Sequence, residues 1–161
     1  VEKRGAYLDL SRLSPGELLG TLAAAMLVLS LFLPWFTTSA TNGNSTLAGA
    51  SGGESVSAFD ASTTLQWLLI AAATAPFVLS WIIARGHELT WRPGEVTMLV
   101  GLTALVLILC NGVILGRPGD SVETGLAWGY FAALAASFGL VVAGYLRQAV
   151  YTDAPKPPGV L

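Results

Sequence analysis

Val96–Gly116, VTMLVGLTALVLILCNGVILG, runs for 21 residues without a charge, and Arg92-Pro93-Gly94-Glu95 stands directly before it. An uncharged apolar run of about 18 or more residues is the helix length that crosses ~30 Å of hydrocarbon. Working outward, three similar uncharged runs surround it, at about Leu18–Phe36, Ala61–Ala84 and Thr124–Leu146. The pattern predicts an all-α integral membrane protein. It is a single domain over 1–161, a four-helix transmembrane bundle with spans at about 18–36, 61–84, 96–116 and 124–146 and an outer loop at 37–60.

Composition points the same way. The chain is 53% hydrophobic and only 11% charged, where a soluble domain carries roughly 25% charged residues. Mean hydropathy is +0.65. A net charge of -2 gives no basic field to recruit nucleic acid. Cys110 and His87 are the lone cysteine and histidine, whereas a zinc site takes about four ligands. No acyl-transfer, phosphate-loop or metalloprotease signature is present. The expectation is a protein that is no enzyme and takes no cofactor or metal.

The ends of the runs carry signals of their own. Ser14-Pro15-Gly16-Glu17 reads as a helix start, with Ser as the cap, Pro at the first helical position and Glu three residues after the cap. The first run exceeds the ~7–15 residues of a secretory h-region, so it reads as a span. Pro34-Trp35-Phe36 is expected to close it at headgroup depth. Before it, Val1–Ser14 reads either as a short amphipathic turn on the membrane surface, through Tyr7, Leu8, Leu10 and Leu13, or as a frayed end. The 37–60 loop is rich in Gly, Ser, Thr, Ala and Asn, and a small hairpin is expected around Asn42-Gly43. Asp60-Ala61-Ser62-Thr63 offers a cap for the second span, where Pro76 should kink the helix. Arg147 is expected to end the fourth span, before a tail held extended by Pro155, Pro157 and Pro158.

Orientation follows from the loops. Lys3, Arg4, Arg12, Arg85, Arg92, Arg147 and Lys156 fall on one side, and of the eight basic residues only Arg117 falls on the other. The positive-inside rule then predicts that both termini are cytoplasmic.

The runs contain no Asp, Glu, Lys, Arg or His, the residues that mark proton relays and coupling-ion sites at membrane depth. Gln66 and Asn111 bring the only full amides and are the candidate polar contacts inside the membrane. They serve interhelical hydrogen bonds or, in the alternative reading, line a pore. Gly125, Gly129, Ala132, Ala136, Gly139 and Ala143 recur at three- and four-residue steps on the fourth run, and Gly112-x-x-x-Gly116 on the third. Such small residues let helices approach closely where lipid removes the hydrophobic drive between them. They serve packing within one bundle or contact between protomers. Glu54, Asp60, Asp120 and Glu123 read as solvated loop charges, and Glu17 and Glu95 as charges favouring helix N-termini. The partners expected are membrane lipids and either further copies of the chain or a larger membrane complex, in one of three roles: structural or accessory subunit, oligomeric pore, or binder of lipid or a small apolar molecule.

Leu33-Pro34-Trp35-Phe36, Ser57-Ala58-Phe59-Asp60, Arg117-Pro118-Gly119 and the stretch from Gly129-Tyr130-Phe131 through Gly144-Tyr145-Leu146-Arg147 resemble a group of small four-span membrane proteins of high-GC actinobacteria. That resemblance implies a bacterial plasma membrane and no particular activity. The topology is also similar to that of claudin-type tetraspans. Their first outer loop carries a Trp and two Cys, which this loop lacks, so no claudin residue is carried over.

Overall fold

The computed structural model describes residues 9–87, 92–118 and 123–152. Helix makes up 65% of the chain. The main helices are α1 (Pro15–Ser30), α3 (Leu65–Ala84), α4 (Pro93–Leu109) and α5 (Trp128–Thr152), with a single-turn α2 (Ala58–Ala61) before α3. Helix α1 packs on α3 and α5, and α4 on the same two, so the four close into a ring. Three of them are long and apolar enough to cross a membrane: Leu65–Ala84, Pro93–Ile114 and Trp128–Ala149. Helix α1 is shorter, 16 residues or about 24 Å at 1.5 Å per residue. Three successive tight turns then carry the chain on, with Leu31 N donating to Val28 O, Phe32 N to Leu29 O and Leu33 N to Ser30 O.

The interior is built from small and medium side chains. Ala24, Leu27, Leu69, Ala73, Ala104, Ile108, Ala133 and Leu140 are all fully buried. The outward faces are as apolar as the inward ones, with Leu18, Leu22, Leu29, Leu99, Leu102, Phe131 and Phe138 exposed. A helix that is hydrophobic all round is suited to lipid on one side and a packed core on the other.

The all-α expectation is corrected by a three-stranded antiparallel sheet at one end of the bundle, in the order β2-β1-β3. Strand β1 (Pro34–Thr38) directly follows α1, β2 (Ser55–Ser57) precedes α2, and β3 (Thr124–Leu126) precedes α5. The expected hairpin therefore exists in altered form. Its strands are β1 and β2, and Asn42-Gly43 lies in the long connection between them. The partner β3 comes from the other loop, pairing Phe36 with Leu126 and Thr38 with Thr124.

Each expected span boundary shifts for a local reason. The first helix stops at Ser30 instead of reaching Phe36, because Pro34-Trp35-Phe36 is recruited into the sheet. Trp35, expected in a headgroup belt, is instead completely buried. The second helix starts at Leu65 rather than Ala61. Ser57 caps the one-turn α2, the chain is extended at Ser62, and the Ser62 hydroxyl accepts from Leu65 N at 3.1 Å. Helix α3 runs through Pro76 to Ala84. The third leaves α-helical geometry at Cys110 and widens into a π-turn over Cys110–Ile114. The fourth starts at Trp128, because Thr124–Leu126 is strand, and continues past Arg147 to Thr152.

The capping box at Ser14 is present: Ser14 N donates to Glu17 Oε2 at 2.6 Å and Glu17 N to Ser14 Oγ at 3.4 Å. Upstream, Leu10–Arg12 forms one 3-10 turn, tied to the end of α3 by Asp9 N donating to Ala84 O. Hydrogen bonds from the Ser11 hydroxyl and backbone hold the Asp9 carboxyl below its ordinary pKa. The starts of α1 and α4 thus share one end of the bundle with the ends of α3 and α5, and the sheet caps the other. The expectations for Tyr7, Leu8, Asp120 and the Pro155–Pro158 tail lie outside the described residues, as do three of the counted basic residues, Lys3, Arg4 and Lys156.

Candidate functional site

At the sheet end, Trp35, Phe36 and Tyr130 form one aromatic cluster. Trp35 and Tyr130 meet edge to face at 5.6 Å and 88°. Their polar atoms are satisfied by main chain: Trp35 Nε1 donates to Ser30 O at 2.8 Å and the Tyr130 hydroxyl to Ile108 O at 2.9 Å. The Tyr130 ring sits where a side chain at residue 112 would be, since a Cβ on Gly112 would fall 2.4 Å from the ring. Directly across this contact lies the π-turn, closed by Leu115 N donating to Cys110 O. Widened turns of this kind recur at functional sites. Gly129 lets α5 touch the chain entering β1, with the Pro34 carbonyl 2.5 Å from where its Cβ would be.

The two candidate amides are both near this end but do different things. Asn111 lies within the π-turn and donates from Nδ2 to Leu107 O at 3.1 Å on its own helix. It also borders a cavity of about 50 Å³ with Trp35, Phe36, Leu65 and Pro118. Gln66 is 4% exposed, and its Oε1 has no hydrogen-bond partner among the described residues. The hydroxyls of Ser30, Thr74, Thr103 and Ser137 each donate to a carbonyl three or four residues back on their own helix.

The small residues divide sharply. Gly112 and Gly129 are contact points, Ala136 and Ala143 are buried, and Ala132 and Gly139 are half-buried. A Cβ on Gly139 would lie 3.2 Å from Ala23. Gly125 lies in β3 rather than on the fourth helix, facing Thr37. A Cβ on Gly116 would meet nothing within 4 Å among the described residues, and Gly116 adopts φ +91°, so it makes the turn that leaves the π-turn.

A wide cleft of about 770 Å³ opens between the sheet and the end of α4. Thr37, Thr38 and Thr124 line its sheet side, Gly112 and Val113 its helix side, and Arg117 and Glu123 bring opposite charges. The Arg117 guanidinium donates from Nη1 to the Thr124 carbonyl, and among the described residues no carboxylate pairs with it.

The opposite end holds the feature that sequence reasoning missed. Arg147 Nη2 donates to Glu17 Oε1 at 2.7 Å, with side chains only 5% and 6% exposed. Thr21 donates to the Glu17 carbonyl and is hydrogen-bonded to Ser80 Oγ at 2.7 Å, so α1, α3 and α5 join at this point. Gly16 and Gly94 flank the arginine, and a Cβ on either would lie 3.3 Å from Arg147 Cβ. Helices α1 and α4 both begin with Pro-Gly-Glu, at Pro15 and Pro93, and the two glycines form notches around one buried cation. Arg147 Nε has no partner among the described residues, and beside it lies a void of about 10 Å³ edged by Ser80 and Thr97, room for one water at most. The available signal was the Glu17 and Arg147 pair itself, one near the start of the first helix and one near the end of the last, had the fourth helix been extended past Leu146.

No family model, curated protein or solved structure matches this chain. Among the described residues, no three of His, Cys, Asp and Glu gather closely enough to hold a metal ion.

Proposed function

We propose that the chain is a non-enzymatic four-span protein of a bacterial plasma membrane, a structural or accessory subunit that assembles with itself or with another membrane protein. The closed interior carries this reading. The bundle axis is filled by fully buried Ala, Leu and Ile side chains, which leaves no path through one chain. The hydroxyls of Ser30, Thr74, Thr103 and Ser137 are committed to their own backbone, that of Ser80 to Thr21, and Gln66 lies inside the bundle, where a pore between protomers would not reach it. What the protein offers to others is surface: apolar helix faces and a sheet that ties both outer loops into one platform.

The basic residues Arg12, Arg85, Arg92 and Arg147 belong to the end opposite the sheet, and with Lys3, Arg4 and Lys156 they support cytoplasmic termini and an outward-facing sheet. Native mass spectrometry from mild detergent tests assembly: a complex heavier than one 16.7 kDa chain is expected, and a lone monomer overturns it. For orientation, Ser51→Cys in a Cys110→Ala background should label from outside intact cells, since Ser51 is exposed in the loop. Protection there overturns the topology.

A further inference from the structure

We infer that the cleft between β1, β3 and the end of α4 is a headgroup site for a zwitterionic phospholipid of the phosphoethanolamine class. The inference rests on the membrane-spanning reading above, with the sheet at the level of one leaflet's headgroups.

Three observations converge on this ligand. First, the cleft is amphipathic along its depth. Val113 lines it and is 62% exposed, next to Ile114 at 65% and Leu115 at 81% at the exposed end of the π-turn. A ligand seated there therefore has an apolar wall on the bilayer side, as an acyl-bearing molecule needs and a soluble one does not. The volume of about 770 Å³ lies within the ~300–1,000 Å³ of small-molecule sites. Second, the polar side of the cleft presents Arg117, among the described residues the one basic side chain at this end, and the partner seen for it among them is the Thr124 carbonyl. A guanidinium with unused donors beside threonine hydroxyls suits a phosphate. Third, Glu123 lines the same cleft, and its carboxylate forms no ion pair among the described residues. A carboxylate there disfavours a purely anionic headgroup. One that carries an ammonium beyond its phosphate answers both charges at once, phosphate to Arg117 and ammonium to Glu123. Glu123 is held in place through its main chain, whose carbonyl accepts from Ser45 Oγ at 2.8 Å, and Ser45 Oγ in turn accepts from Ser39 N.

The test is native mass spectrometry of the full chain titrated with phosphatidylethanolamine, phosphatidylglycerol or free phosphoethanolamine. Copy number and lipid adducts are read in one spectrum, so failure of assembly and failure of this site remain separate. Phosphatidylethanolamine should be retained best. Loss of one partially exposed ion contact in Arg117→Gln or Glu123→Gln should weaken it about fivefold, while Arg85→Gln at the opposite end leaves it unchanged. Glu123→Gln keeps the main-chain bond to Ser45, so its effect reports the carboxylate rather than the fold. Equal retention of phosphatidylglycerol overturns the ammonium assignment, as does normal binding by Glu123→Gln. Free phosphoethanolamine binding as tightly as the lipid overturns the role of the apolar wall. Wild-type retention by both variants overturns the site.

Discussion

The two ends of this bundle solve the same problem with opposite chemistry. Four helices with apolar outer faces must be held together, and in the lipid proposed for them no hydrophobic drive acts between them. At the sheet end the tie is aromatic: Trp35 and Tyr130 wedge between helices, with their polar atoms given to main-chain carbonyls. At the other end it is ionic, a Glu17–Arg147 pair almost sealed from solvent and set between two glycine notches. An aromatic wedge loses only packing and one hydrogen bond when trimmed. A buried ion pair leaves an uncompensated charge when half of it is removed. The two ends should therefore fail very differently under mutation.

The sharpest way to break this comparison is to halve the ion pair. Arg147→Met or Glu17→Met alone should destabilise the fold by about 3–5 kcal/mol, the typical penalty for stranding one buried charge. The double variant should be far milder, because buried pairs replaced by apolar residues are often neutral or better. Chemical denaturation in detergent micelles measures all three. If each single variant cost no more than the double, the pair would not be desolvated as the structure has it, and the ionic end would be no different in kind from the aromatic one.

How much of this was legible in the sequence follows from the same contrast. The four helices were, because an uncharged run of membrane length permits few other structures. The Ser14–Glu17 capping box was, because its residues are local. The sheet was only half visible. Pro34-Trp35-Phe36 continues an apolar run, and nothing within five residues says that it will pair with Leu126, ninety positions away. Arg147 was read as a stop because charge normally ends a span. The partner that lets it stay buried lies 130 residues upstream. The small residues were seen only in part. Gly112, Gly129, Ala136 and Ala143 pack inside the bundle as expected, but Gly144 and Gly101, where α4 and α5 also touch closely, were not singled out, and Gly116, which was, turns the chain.

That approach supplies the next test, of intermediate size. A Cβ on Gly144 would lie 2.4 Å from Met98 N and 2.6 Å from Gly94 O, both backbone atoms that cannot swing aside. Gly144→Ala should therefore cost about 1–3 kcal/mol through helix displacement. Gly20→Ala is the matched control, since its nearest neighbours, Ala143 Cβ and Thr97 Cγ2, are at an ordinary 3.5 Å. It should be neutral, or stabilising by up to ~1 kcal/mol from helix propensity. Thermal unfolding of the two variants side by side separates a true backbone contact from a general intolerance of added volume.

The smallest effect is expected at the aromatic end. Tyr130→Phe keeps the ring against Gly112 and Trp35 and removes only the hydroxyl that donates to Ile108 O. The loss should be about 1 kcal/mol, the net worth of one such bond, well below that of halving the ion pair. Its signature should be local. With the Ile108 carbonyl released, amide exchange should quicken over the π-turn at Cys110–Ile114 while the Glu17–Arg147 end keeps its protection. Uniform quickening along all four helices would mean that the two ends are one cooperative unit. The aromatic wedge would then matter to the whole bundle as much as the buried charges do.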